Sequence, residues 1–137
     1  MGIDFDNVFF KGHYPQNRLY ELYSEGTIFV LPSLADGFAM VVSQALACGL
    51  PVIVTTHTGA KDIIKDNFNG FIVPPSDGMI LNEKIKYFYN NPEECIRMSN
   101  NTEKSISSGL TWDDYGNRLV KTLERIEIDG NKIRKNK

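Results

Sequence analysis

Four short apolar runs, rich in β-branched and aromatic residues and bounded by Gly or Pro, punctuate the first half of the chain. They are Asn7-Val8-Phe9-Phe10, Thr27-Ile28-Phe29-Val30-Leu31, Val52-Ile53-Val54 and Phe71-Ile72-Val73. Their apolarity is continuous rather than alternating, so both faces of each strand should be covered, as in a parallel sheet flanked by helices. Between them the period changes to that of helices. One helix is expected from Pro15 to Glu25, with Leu19, Leu22 and Tyr23 on one face and Gly26 past its end. A second should occupy Phe38 to Cys48, closed by Gly49 and Pro51. A short third follows Thr58 and ends before the Asn69-Gly70 turn.

Beyond the last strand, Met79 to Tyr89 reads as a helix stopped at Asn90-Asn91. Asn91-Pro92-Glu93-Glu94 then predicts an N-cap, a proline at the first helical position and acids at the positive end of the dipole. Thr111-Trp112-Asp113-Asp114 resembles a capped start for the final helix, whose Trp112, Tyr115, Leu119, Leu123 and Ile126 recur at helical spacing and are expected in the core. Residues 1–128 should therefore form one α/β domain, a parallel sheet of about four strands with flanking helices and a helical carboxyl-terminal part. Residues 129–137 carry Lys132, Arg134, Lys135 and Lys137 without apolar periodicity and read as a disordered, solvated basic tail, with membrane-surface contact as the alternative.

With 137 residues, the chain is long enough for one cored domain and too short for two full α/β domains. A net charge of −2 gives no global attraction to nucleic acid, so no nucleic-acid partner is expected. Cys48 and Cys95 fit neither a disulfide framework nor a metal-ligand spacing and read as buried thiols. No apolar run approaches a membrane span, and residues 1–7 lack the basic and apolar regions of a signal peptide, which predicts a cytoplasmic protein.

In an open parallel sheet, ligands bind at the carboxyl ends of the strands, where helix N-termini also point. Those ends are Gly12-His13, Pro32-Ser33, Thr55-Thr56 and Pro74-Pro75. The segment Leu31-Pro32-Ser33-Leu34-Ala35-Asp36-Gly37-Phe38-Ala39 leads straight into a helix. Two readings of it stand side by side. Gly37 lets the backbone approach a ligand and the first-turn N–H groups attract an anion such as a diphosphate; or Asp36 caps the helix and Gly37 makes the turn. Gln44 lies eight residues beyond Asp36, amid Val42, Ala45, Leu46 and Ala47, where a polar amide needs partners from protein backbone or from ligand hydroxyls.

The order and spacing of several segments over residues 7–126 resemble the carboxyl-terminal domain of family 4 retaining glycosyltransferases. They are Phe10-Lys11-Gly12-His13, Leu19-Tyr20 through Tyr23, Phe29 to Ser33, Asp36 to Ala39, Gln44 to Ile53, Thr58-Gly59 with Asp62, and Asn69 to Val73. The resemblance implies a Rossmann-like sheet within a two-domain GT-B enzyme that transfers a hexose from a UDP- or GDP-linked sugar with retention at the anomeric carbon. The implied setting is polysaccharide or glycolipid assembly, in the cytoplasm or at the inner membrane face. Neither a metal nor a cofactor is implied.

The family carries two glutamates eight apart, the first just before Gly-Phe-Gly; this chain has Asp36, Gln44 and Ala39 instead. By resemblance, Asp36 is the catalytic-site carboxylate and Gly37, Phe38 and Ala39 hold the donor sugar. Gln44 would meet the ribose diol, while Gly12, His13, Tyr14 and Ser33 line the nucleotide. Gln44 keeps an acceptor and loses the charge, and charged hydrogen bonds contribute ~1.5–3 kcal/mol against ~0.5–1.5 for neutral ones. A weakened donor site is the expectation. Thr58-Gly59 and Asp62 read as a structural helix start.

The family's domain opens with two further strands and an Arg and a Lys for the leaving diphosphate, and these have no counterpart here. The acceptor glycan or lipid would need a missing amino-terminal domain. The Asn7 to Phe10 strand would lie apart from the others or move beside the Thr27 strand, and otherwise self-association should cover the open edge. A non-catalytic nucleotide-binding or interaction module is the alternative function. A dinucleotide-dependent oxidoreductase is disfavoured, since no Gly-x-Gly-x-x-Gly follows a strand.

Overall fold

The computed structural model describes residues 7–107, 109 and 111–135, with side chains up to Ile126. Three parallel strands form one sheet in the order β1-β2-β3: β1 is Phe29–Leu31, β2 is Val52–Thr55 and β3 is Gly70–Val73. Val52 pairs with both Phe29 and Gly70, so the three strands begin in step at one edge and end together at the other. The central strand β2 is buried along its whole length. Val52 and Val54 face a core with Val42, Leu46 and Ile64; Ile53, between them, faces a second core with Phe71, Phe88 and Met98. The alternation of pleat direction explains why an unbroken apolar run was needed there.

Five α-helices accompany the sheet: α1 (Leu19–Ser24), α2 (Met40–Ala47), α3 (Gly78–Asn90), α4 (Pro92–Ile106) and α5 (Trp112–Lys135). A 3-10 turn, Gln16–Arg18, precedes α1, and another, Gly59–Asp62, follows β2. The expected helix after Thr58 is thus a 3-10 turn, begun by the Thr58 hydroxyl accepting from the Ala60 amide. Helix α2 ends where its apolar period ends, because Gly49, at φ 81°, reverses the chain. Its amide donates to the Leu46 carbonyl, and that of Leu50 to Ala45. Asp77 caps α3 by accepting from the Met79 and Ile80 amides. Thr111 and Asp114 cap α5 reciprocally, as their spacing predicts. Asn91 stands at the start of α4, but its amide group donates to the Tyr87 carbonyl and leaves α4 without a side-chain cap.

Three expectations are corrected. The segment Asn7 to Phe10 is not a strand, and Phe9 and Phe10 are 79% and 86% exposed. Lys11 pairs with Glu25, and Tyr14 donates to Glu21, so the chain here runs along α1 instead of reaching the sheet. Without a neighbouring strand to accept its amides, an apolar run gains nothing from extension. Second, Trp112, Tyr115, Leu119, Leu123 and Ile126 are exposed, Trp112 by 76%. They do share one helical stripe, but no described element covers it. Third, α5 continues through Lys135, across most of the segment read as a disordered tail.

Candidate functional site

The carboxyl ends of β1 and β2 open into two loops that are laced together. Past the strand ends, Asp36 and Thr58 form a further parallel bridge. The Asp36 amide donates to the His57 carbonyl, and the Gly59 amide to the Asp36 carbonyl, each at 3.2 Å. Side chains add to this. Thr55 Oγ1 donates to the Ser33 carbonyl at 2.6 Å, and the His57 ring meets the Leu34 carbonyl through Nδ1 at 3.2 Å. A carbonyl only accepts, so in this contact Nδ1 is the donor.

Gly59 is required by this approach. A Cβ there would stand 1.9 Å from the Gly37 carbonyl oxygen. Gly37, by contrast, has nothing within 4 Å of the Cβ position and faces open space. The two glycines therefore serve different ends: one lets the loops meet, the other leaves the surface of the Asp36–Phe38 segment clear.

Immediately beyond, α2 begins at Ala39, whose extended backbone takes the N-cap position without a side chain able to accept a bond. Alanine is among the poorest N-cap residues; the Val42 amide donates to the Ala39 carbonyl, and the Met40 and Val41 amides ahead of it have no side-chain cap. Phe38 and Met40 are half exposed on either side of the buried Ala39. Beside this turn lies an open cavity of about 440 Å³, lined by Ala35, Thr56, His57, Thr58, Gly59 and Lys61.

The structure brings some of the sequence-predicted residues together and separates others. Asp36, Gly37 and Phe38 are exposed and continue the chain from Ala35 on the cavity wall, so they flank the cavity while the 56–61 loop forms most of its lining. Ser33 shapes the loop, its hydroxyl donating to the Ala35 carbonyl at 3.1 Å. Gln44 lies half buried on α2, where its Oε1 accepts from the Tyr23 hydroxyl at 3.4 Å. Burial first, and then Cys48, pushes the Tyr23 phenol up, which keeps it a donor. Gly12, His13 and Tyr14 do not line the cavity. Tyr14 is held on α1 by Glu21 and by the Arg18 guanidinium 5.9 Å from its ring, a consequence of the missing first strand. Thr56 stands at a strand end marked in the sequence, whereas His57 and Lys61 went unremarked because no motif marks them.

Among the described residues no group of three His, Cys, Asp or Glu side chains could hold a metal ion. No described helix is long and apolar enough to cross a membrane. Cys95 is buried and Cys48 partly so; both are free and line a second cavity of about 290 Å³ at the opposite, amino-terminal edge of the sheet.

Comparison with known proteins agrees with this architecture. Residues 5–105 match the family described as glycosyl transferases group 1. The sucrose synthase of Nitrosomonas europaea is 35% identical over 103 residues, covering 72% of this chain and 13% of that protein. Among solved structures, sucrose-phosphate synthase from Thermosynechococcus elongatus superposes with a TM-score of 0.80 at 24% identity, over 90% of this chain and 31% of that one. Anabaena HepE in complex with UDP gives 0.71 at 21% identity, over 77% of this chain and 29% of that one. The same protein has been solved with UDP-glucose. The chain thus spans about an eighth of the curated relative and under a third of these structures. The parallel sheet, its flanking helices and the match over residues 5–105 lead to one conclusion: the chain belongs to the group 1 glycosyl transferases.

Proposed function

We propose that this chain is the donor-binding part of a family 4 retaining glycosyltransferase, taking a hexose from a UDP- or GDP-linked sugar for polysaccharide or glycolipid assembly. The observation that carries the reading is the uncapped start of α2 at Ala39, beside the exposed Gly37 and the carboxyl-edge cavity. Amides at a helix start favour a diphosphate, and a glycine without neighbours lets it approach. HepE, of similar fold, binds UDP and UDP-glucose, which supports the same ligand class here. In this reading Asp36 meets the donor sugar, the Gly37-Phe38-Ala39 backbone holds it, and Gln44 turns from Tyr23 to the ribose diol. Gly12, His13, Tyr14 and Ser33 are more distant contributors to the nucleotide pocket. The acceptor is held by a second domain or partner, so the chain alone binds donor without transferring it.

The test is an amide-resolved NMR titration of the 137-residue chain with UDP-glucose and a GDP-linked hexose. Shifts should concentrate at Gly37 to Val41 and Thr56 to Lys61. A titration in which these amides stay still at millimolar ligand overturns the proposal. The alternative, a non-catalytic interaction module, is favoured by the engagement of Gln44 with Tyr23. Transfer activity in the complete protein or with a partner would exclude it.

A further inference from the structure

A diphosphate bound at this edge carries at least two negative charges and calls for cationic partners. Backbone amides of the cavity loop cannot replace them, because they are already engaged. The Thr56 amide donates to Val73, Thr58 to Thr55, Gly59 to Asp36 and Lys61 to Thr58, all on carbonyls. The Ala60 amide is taken by the Thr58 hydroxyl. The His57 ring is engaged through Nδ1 with the Leu34 carbonyl.

Lys61 is different. It is the cationic side chain among the six residues that line the cavity, and no carboxylate is among the other five. Lys11, Arg18, Lys84 and Arg97 each pair with a glutamate, whereas Lys61 is in none of these ion pairs. Its backbone is fixed by a capped 3-10 turn whose Ala60 is fully buried. Successive side chains on such a turn diverge by about a third of a revolution, so the neighbouring Asp62 projects elsewhere.

We infer that Lys61 is the cationic partner of the donor's diphosphate in this chain, reaching it from the loop after β2. The inference rests on the donor-binding reading above and adds to it the residue that distinguishes a nucleoside diphosphate from a nucleoside. An ammonium on a flexible stem acts as a point charge and tolerates a shifted phosphate.

The experiment titrates the wild-type chain, Lys61→Met and Lys61→Arg with UDP and, separately, with uridine, at low and moderate salt. Lys61→Met keeps the apolar stem of an exposed side chain and removes the charge. UDP affinity should fall about fivefold to tenfold in Lys61→Met and return in Lys61→Arg, with uridine affinity unchanged throughout. The wild-type preference for UDP over uridine should weaken with salt, a readout that needs no variant. Equal UDP binding by wild type and Lys61→Met overturns the inference, as does an equal loss for uridine, which would mark a structural role. If the wild type binds uridine and UDP equally, the phosphate is unrecognised and the inference fails while nucleoside binding stands. If it binds neither, the donor-binding reading falls and the inference with it.

Discussion

Replacing Gly59 by alanine tests the feature on which the site's shape depends. The added Cβ would meet the Gly37 carbonyl oxygen at 1.9 Å and its carbon at 3.1 Å, both backbone atoms that cannot rotate away. To reach an ordinary contact the 36–38 segment must retreat by more than about 1 Å, an overpacking strain typically costing ~1–3 kcal/mol. The same retreat stretches the Asp36–His57 and Gly59–Asp36 backbone bonds, both already at 3.2 Å. Loss of either adds ~0.5–1.5 kcal/mol. A total near 2–4 kcal/mol follows, and with a urea dependence of ~2 kcal/mol/M the midpoint should drop by about 1–2 M. Circular dichroism during urea unfolding measures it. Gly37→Ala is the control: the added methyl meets nothing within 4 Å. Its stability should stay within about 0.5 kcal/mol of wild type, while UDP-glucose affinity falls because the methyl occupies the ligand's approach. An unchanged midpoint for Gly59→Ala would refute the close meeting of the two loops.

Asn69 is fully buried, accepting from the Lys65 amide and donating to the Ile63 carbonyl and Ser105 hydroxyl; Asn69→Ala should cost about 2–4 kcal/mol in urea unfolding, since buried partners lose their bonds. Gln44→Ala should weaken nucleotide-sugar binding about tenfold, near 1.4 kcal/mol, by calorimetry. Tyr23→Phe, which removes only the other side of the Gln44 bond, should leave binding unchanged; equal losses in both would assign Gln44 to structure. The Thr111 hydroxyl and amide hold the Asp114 carboxyl below its ordinary value. The folded pKa being the lower, the cap's contribution is complete above the normal carboxylate range and is lost as pH falls through the folded pKa. In an acid NMR titration Asp114 should therefore protonate below the ordinary aspartate range, and Thr111→Val, which removes the hydroxyl and keeps the amide, should raise it toward that range.

Much of the fold was legible because its signals are local. The runs at Phe29, Val52 and Phe71 predicted strands, and Gly49 marked a helix limit through its own backbone chemistry. What failed was inference from apolarity to partnership. Val8-Phe9-Phe10 and the Trp112–Ile126 stripe have the composition of buried elements, yet they lie exposed. A period or a β-branched run reports what a segment could bury, whereas burial depends on another element being beside it. Asn91 shows the same limit at smaller scale: its identity suits a cap, but the nearby Tyr87 carbonyl takes its amide group.

The site was half legible for a related reason. Asp36-Gly37-Phe38 stands out because it joins a strand to a helix in one stretch of sequence, so its position at the carboxyl edge follows from chain order. His57, Gly59 and Lys61 belong to the next strand's loop, and their relation to Asp36 arises from strand pairing over more than 20 residues. That pairing continues past Leu31 and Thr55 into the bridge between Asp36 and Thr58. As a result, the loop after β2 fixes where the loop after β1 stands. A substitution at Gly59 therefore displaces Gly37 and changes the shape of the cavity. One at Lys61 leaves the loops in place and alters only the charge that faces the cavity. The two substitutions separate the shape of the site from its electrostatics, a division the linear sequence does not display.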